Sequence, residues 1–180
     1  MIDENESGKK DFKVVKEGDS YIISHNNNIF DIKKDEWDSR ILGINLYKIN
    51  KVELNSFDAN IIKKFLDFIK LKFNDINCMT YKTEATNFDL INILQRNGFT
   101  LVGMPIKLSV DLRGIKLNNL EPSIRLSKND DVNILSLMAR DSFLYAYRYN
   151  DKNLDKNKVD DLYSEWIKNS CNGRANAVLV

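Results

Sequence analysis

Two hydrophobic periods take turns along this chain, and that alternation admits only folds that combine a sheet with helices. The stretch "DFKVVKEGDSYIISHNNNIFDI" alternates apolar and polar residues and is punctuated by Gly18-Asp19 and by Asn26 to Asn28. It reads as short strands joined by tight turns. "EWDSRILGINLYKINKVEL" continues as an extended run anchored by Ile41, Ile44, Leu46 and Ile49. From Asp58 the period changes: Ile61, Ile62, Phe65, Leu66 and Ile69 recur at helical spacing, so a helix is expected to about Phe73. "INCMTYKT" returns to strand.

The next unit carries its own punctuation. Asn87 is placed to cap a helix whose buried face is Leu90, Ile91 and Leu94, and Gly98 ends it with Phe99 folding back. "FTLVG" and "IKLSVDL" read as strands, and "RGIKLNNLEP" as a polar linker. After Pro122, "SIRL" is a strand, and Ser127 with Asp130 resembles a capping box. Val132, Leu135, Met138 and Ala139 then give a helix face reaching about Phe143. Val159, Leu162, Tyr163, Trp166, Ile167 and Ser170 give a second, cleaner one. Gly173 follows, and Ala175 to Val180 is a last strand that needs a partner. The expected class is α/β with a mixed sheet: an N-terminal half over 1–112, a linker over 113–122 and a second unit over 123–180.

Composition narrows the chemistry. An apolar share of 43% and a charged share of 29% fit a soluble globular protein. A net charge of +1 argues against a nucleic-acid partner, and basic pairs such as Lys33-Lys34 and Lys63-Lys64 sit near carboxylates as solvated faces. "MIDENESGKKDFK" is acidic and polar where a signal peptide is basic and then apolar, and no apolar run is long enough to span a bilayer. A cytoplasmic protein without a membrane partner is expected. Cys78 and Cys171 have no companion cysteine and read as packed thiols. The lone His25 reads as a surface turn residue, so no metal site is expected.

Two segments mimic a pyrophosphate loop of the form Arg/Gln-x-x-Gly-x-Gly/Ala: Arg40 to Asn45 and Gln95 to Thr100. Both fail at the last position and run into strands, and Gly98 stands at a helix end, where the dipole is negative. They are decoys. No Ser or Cys nucleophile has a base beside it, and the pairs Asp130-Asp131 and Asp160-Asp161 read as helix-start or solvated carboxylates. The most suggestive cluster is Tyr147, Arg148, Tyr149 and Asp151 with Tyr163 and Trp166. An arginine among aromatics beside a helix can clamp a phosphate or stack on a ring. A purely structural reading has the tyrosines covering the helix pair and Arg148 paired with Asp151.

At these residues the chain resembles a known family. "EWDSRILGINLYKI", "NFDLINILQRNGFTLVGMPIKLSVDL" and the run from "SIRL" through "DLYSEWIKNSCNGRANAVLV" are together similar to the dTDP-fucosamine acetyltransferase group of the GNAT superfamily. The resemblance implies a GNAT-like fold, with residues to about 112 a partial copy and 123–180 the start of a second acetyltransferase domain. It implies transfer of an acetyl group from acetyl-CoA, as co-substrate, to a small-molecule amine on a nucleotide-linked amino sugar, with a homodimer left open. It also implies that the catalytic and cofactor-binding residues lie beyond Val180, so that this polypeptide is the acceptor-side portion and inactive alone. Tyr147, Arg148, Tyr149 and Asp151 would border the acceptor cleft, supported by Tyr163 and Trp166, with Arg148 the anchor. The competing expectation is a non-catalytic α/β binding or regulatory module on the same fold. A third keeps the enzyme but gives it a peptide amine, amino acid or polyamine as acceptor.

Overall fold

The computed structural model describes residues 12–55, 58–111, 113–114 and 123–180. The N-terminal stretch read as free of a targeting signal lies outside them, apart from its last two residues, as does most of the expected linker. Among the described residues the fold is α+β, with a five-stranded mixed sheet and six α-helices. The chain divides into two compact units, Met1–Leu101 and Val102–Val180, so residues 102–111 go with the second unit although the sequence places the border near 112.

In the first unit, β1 (Lys13–Glu17), β2 (Ser20–His25) and β3 (Asn28–Lys34) form an antiparallel meander. Its second turn places Asn26 and Asn27 at φ 48° and 59°, a left-handed conformation that asparagine tolerates better than most residues. Buried Asn28 holds this turn, its amide donating to the carbonyls of His25 and Asn26, both at 3.1 Å. β4 (Leu46–Glu53) adds antiparallel to β3, with Asn50 as the extra residue of a bulge between the pairs Asp31–Lys51 and Ile32–Ile49. β5 (Cys78–Tyr81) lies parallel to β4, as a strand reached through a crossover helix can. That helix is α2 (Ala59–Lys72), capped by the Asp58 side chain.

The expected face of α2 is the observed one: Ile62, Phe65, Leu66 and Ile69 are buried against Ile23, Phe30, Ile32, Tyr47 and Ile49. α3 (Phe88–Arg96) completes this layer with Leu90, Ile93 and Leu94, so Ile93 takes the place assigned to Ile91. Asn87 stands at the cap position but its side chain makes no cap bond. Gly98, at φ +93°, lets the Phe99 amide return to the Leu94 carbonyl at 3.1 Å, as the sequence predicts.

Three extended segments expected from sequence are not strands. "EWDSRIL" is a helix, α1 (Glu36–Leu42), because Asp35 accepts from the Asp38 amide at 2.9 Å and Gly43 closes the other end at φ +70°. Local capping overrides the strand-like spacing of its isoleucines. Residues 101–111 carry neither strand nor bridge, so "FTLVG" and "IKLSVDL" have the sequence of strands without a ladder. His25 is also corrected: it ends β2 and stacks on Phe12 at 4.8 Å.

The second unit is a helix pair, α4 (Val132–Ser142) and α6 (Lys156–Asn169), with the single-turn α5 (Tyr147–Asn150) between them. The buried side of α4 is Ser136 and Ala139, while Met138 faces outward. A short ladder closes the unit: Arg125 and Val180 exchange amide bonds at 2.9 and 2.8 Å, and the Ser127 amide reaches the Val178 carbonyl at 2.8 Å. The last segment thus finds its partner in "SIRL", as a single bridge rather than two full strands. The helix start is set one residue later than expected. Asp131, not Asp130, accepts from the Lys128 amide at 2.7 Å and from Arg125 at 2.7 and 2.8 Å. The Arg125 guanidinium holds the Asp131 carboxyl well below the usual carboxylate range. No helix among the described residues is long and apolar enough to cross a membrane.

Candidate functional site

The aromatic cluster is built on the α5–α6 junction. Ala146 has an extended backbone (ψ 149°), after which one helical turn presents Tyr147, Arg148 and Tyr149 in succession. Helical spacing on α6 brings Tyr163 up beneath them. The Arg148 guanidinium lies 4.8 Å from the centre of the Tyr147 ring and 5.9 Å from that of Tyr163. Both distances fall within cation–π range. Tyr163 is the hub: its ring stacks on Phe143 at 4.6 Å and on Tyr149 at 5.9 Å. Four of the six expected residues therefore converge.

The other two do different work. Asp151 accepts from the backbone and side-chain amides of Asn153, at 2.9 and 3.0 Å, and so shapes the turn into α6. Trp166 meets the edge of Phe143 at 5.8 Å and stays 40% exposed. Tyr147 has a neighbour that sequence gives no hint of. A Cβ placed on Gly103 would come within 2.8 Å of the Tyr147 Cβ, so only glycine lets the chain pass this close.

Sequence reasoning missed the polar frame behind the cluster. The Tyr149 hydroxyl donates to an Asp160 carboxylate oxygen and lies 3.2 Å from the Arg140 carbonyl. Arg140 reaches Asp161 at 3.0 Å and Asp160 at 4.0 Å. Asp160 and Asp161, expected as helix-start or solvated carboxylates, also tie α6 to α4 and α5, while Asp161 keeps 46% of its side chain exposed. Burial, reinforced by the Asp160 carboxylate, pushes the Tyr149 phenol well above its ordinary value. Tyr149 stays a neutral donor that fixes the turn carrying Arg148.

This frame sets a pH dependence. The contribution of Tyr149 to stability is expected to be level up to about pH 10, the ordinary tyrosine value. Above that the unfolded chain loses the phenolic proton while the folded one keeps it, so stability falls toward the raised folded value. Tyr149→Phe strands Asp160 without its donor and is expected to cost about 1–3 kcal/mol at neutral pH. Urea unfolding of both proteins at neutral and alkaline pH checks this, the alkaline loss being smaller in the variant.

The two pyrophosphate-loop mimics can be judged by where their amides point. In the first, the Gly43 and Ile44 amides donate to the Ser39 carbonyl at 2.9 and 3.2 Å, and the Asn45 amide to Asn77 Oδ1 at 2.8 Å. In the second, Asn97 donates to Ile93, Gly98 to Gln95 and Phe99 to Leu94, at 3.2, 3.1 and 3.1 Å. Both loops stand at helix C-termini with these amides used within the fold, so neither fits a pyrophosphate. A hollow of about 250 Å³ beside the first is lined by Lys34, Glu36, Arg40, Asn45 and Asn77. Two of the lining side chains, Lys34 and Glu36, form an ion pair at 3.9 Å. Among the described residues no group of three His, Cys, Asp or Glu side chains could hold a metal ion.

Compared with family models, with curated proteins and with solved structures, the chain finds no match.

Proposed function

We propose that this chain supplies the acceptor side of an N-acetyltransferase, holding a nucleotide-linked amino sugar while its amine attacks an acetyl thioester. The observation that carries the reading is the Arg148 guanidinium set between two tyrosine rings, 4.8 and 5.9 Å from their centres. A guanidinium stacked on aromatic rings has the chemistry for bidentate contact with a diphosphate, and Tyr147, 45% exposed, offers surface for a base or sugar ring. Anchoring the nucleotide would leave the amino group to be positioned by contacts farther along the sugar, and holding amine and thioester together supplies much of the rate of such reactions.

The chain's own residues take the acceptor part of this chemistry only. The reaction draws its acetyl group from acetyl-CoA, and because neither glycine loop fits a pyrophosphate, no step through that co-substrate is assigned to residues described here. The same two loops favour a second reading, a binding or regulatory module without catalysis. Calorimetric titration tests the site that both readings share. Both readings allow the chain to bind dTDP-4-amino-4,6-dideoxygalactose, and Arg148→Ala should weaken this at least tenfold. Arg148→Lys, which keeps charge but not the fork, should fall between. Equal affinities in all three proteins would remove Arg148 from the site. Acetylation of the amino sugar by the chain supplied with acetyl-CoA would exclude the non-catalytic module.

A further inference from the structure

Residues 104–111, "MPIKLSVD", place apolar side chains at every second position and alternate strictly with polar ones from Ile106 to Asp111. That is the pattern of a half-buried strand, yet its apolar members stand in solvent: Met104 is 65% exposed, Ile106 82%, Leu108 88% and Val110 73%. No residue of the segment takes part in a strand or bridge. A strand sequence with its apolar face uncovered is a template for pairing with another chain.

We propose that this segment pairs antiparallel with itself in a second copy of the chain, forming a two-fold symmetric dimer. The charges choose both occupant and register. Pairing centred on Ser109 sets Lys107 opposite Asp111 of the second copy, twice by symmetry, and Leu108 opposite Val110. Centring on Lys107 would oppose two lysines, and centring on Leu108 would set Lys107 opposite Ser109 and forgo the Lys107–Asp111 contact. Slipping one strand by a single residue against the other would set apolar side chains against polar ones. Asp111, held by Arg113 of its own chain at 2.7 Å, then lies between two cations. Pro105 falls four residues from the centre, outside the five paired residues, where its missing N–H interrupts no ladder bond. An isologous contact of this kind closes on itself and does not propagate into a fibre. With the ladder confined to 107–111, only Leu108 and Val110 of each copy lie opposite one another, so the contact falls well below the roughly 1,200 Å² of standard interfaces and the dimer is weak, in the micromolar range or above.

The full chain is examined by sedimentation velocity from about one to several hundred micromolar, a span chosen to bracket a weak interface. A dimer fraction that rises with concentration is expected. Leu108→Lys, at an exposed position that should not disturb folding, leaves a monomer. Lys107→Asp weakens the dimer at least tenfold, and adding Asp111→Lys restores it. Disulfide trapping reads the register directly. Ser109→Cys puts two thiols on residues whose Cα atoms are about 4.5–5.5 Å apart, inside the bonding window, and cross-links under mild oxidation. Lys107→Cys puts them about 13 Å apart and does not cross-link beyond the unsubstituted chain. A monomer at every concentration, as pairing within one chain would give, overturns the proposal. So does a dimer indifferent to Leu108→Lys, or equal cross-linking of the two cysteine variants.

Discussion

Phe65→Ala is expected to remove about 3–5 kcal/mol from the first unit, the range for truncating a fully buried aromatic. Phe65 has no exposed surface, stacks on Phe30 of β3 at 4.4 Å and takes the edge of Phe12 at 5.0 Å. It joins α2 to the middle of the sheet, and the strands around it cannot collapse into the gap without breaking their ladder. Against a typical domain stability of 5–15 kcal/mol such a loss is a large share of the whole. Denaturant unfolding should show a lowered midpoint at unchanged slope. Leu71→Ala, on the same helix but 63% exposed, should stay within about 0.5 kcal/mol of the parent. A small effect at Phe65 would mean that α2 does not rest on this face.

Tyr163→Ala should do comparable damage to the second unit, about 3–5 kcal/mol, and should also abolish the proposed acceptor binding. Tyr163 is 7% exposed, and its ring meets Phe143, Tyr149 and the Arg148 guanidinium together. Removing it leaves a cavity between α5 and α6 and takes away one of the two surfaces that aim Arg148. Tyr163→Phe keeps every stacking contact, so binding should persist there. Trp166→Ala, at a position 40% exposed, should cost less stability and leave binding in place. Loss of binding in Tyr163→Phe, or its survival in Tyr163→Ala, would separate the ring from the role given to it.

What the sequence made legible follows the range of the forces involved. The meander was readable because its turns are local: Gly18-Asp19 and the asparagines at 26 and 27 mark strand ends by residue type alone. α2 and α6 were readable because their apolar faces repeat within one element. α1 was hidden in a run that also suits a strand, although Asp35 and Gly43, a cap and a left-handed stop eight residues apart, were the signal that decides it. In 104–111 the alternation was visible, but whether a ladder forms depends on a partner that no local pattern names.

The candidate site divides in the same way. The tyrosines and Arg148 could be singled out because they are neighbours in sequence or share one helix face. Tyr149 with Asp160, and Arg140 with Asp161, lie 11 and 21 residues apart on different helices, and their meeting is a product of packing. Gly103 against Tyr147 is more distant still in the chain, and only the fold makes a small residue necessary there.

The α5–α6 junction is proposed to receive a nucleotide-linked amino sugar. Backbone amide shifts followed during titration with dTDP-4-amino-4,6-dideoxygalactose test it most directly. Saturating changes are expected to cluster on Tyr147, Arg148, Tyr149 and Tyr163. Changes centred instead on Lys34, Arg40 and Asn45, or no saturable change at millimolar ligand, a range that would reveal even weak binding, would contradict it.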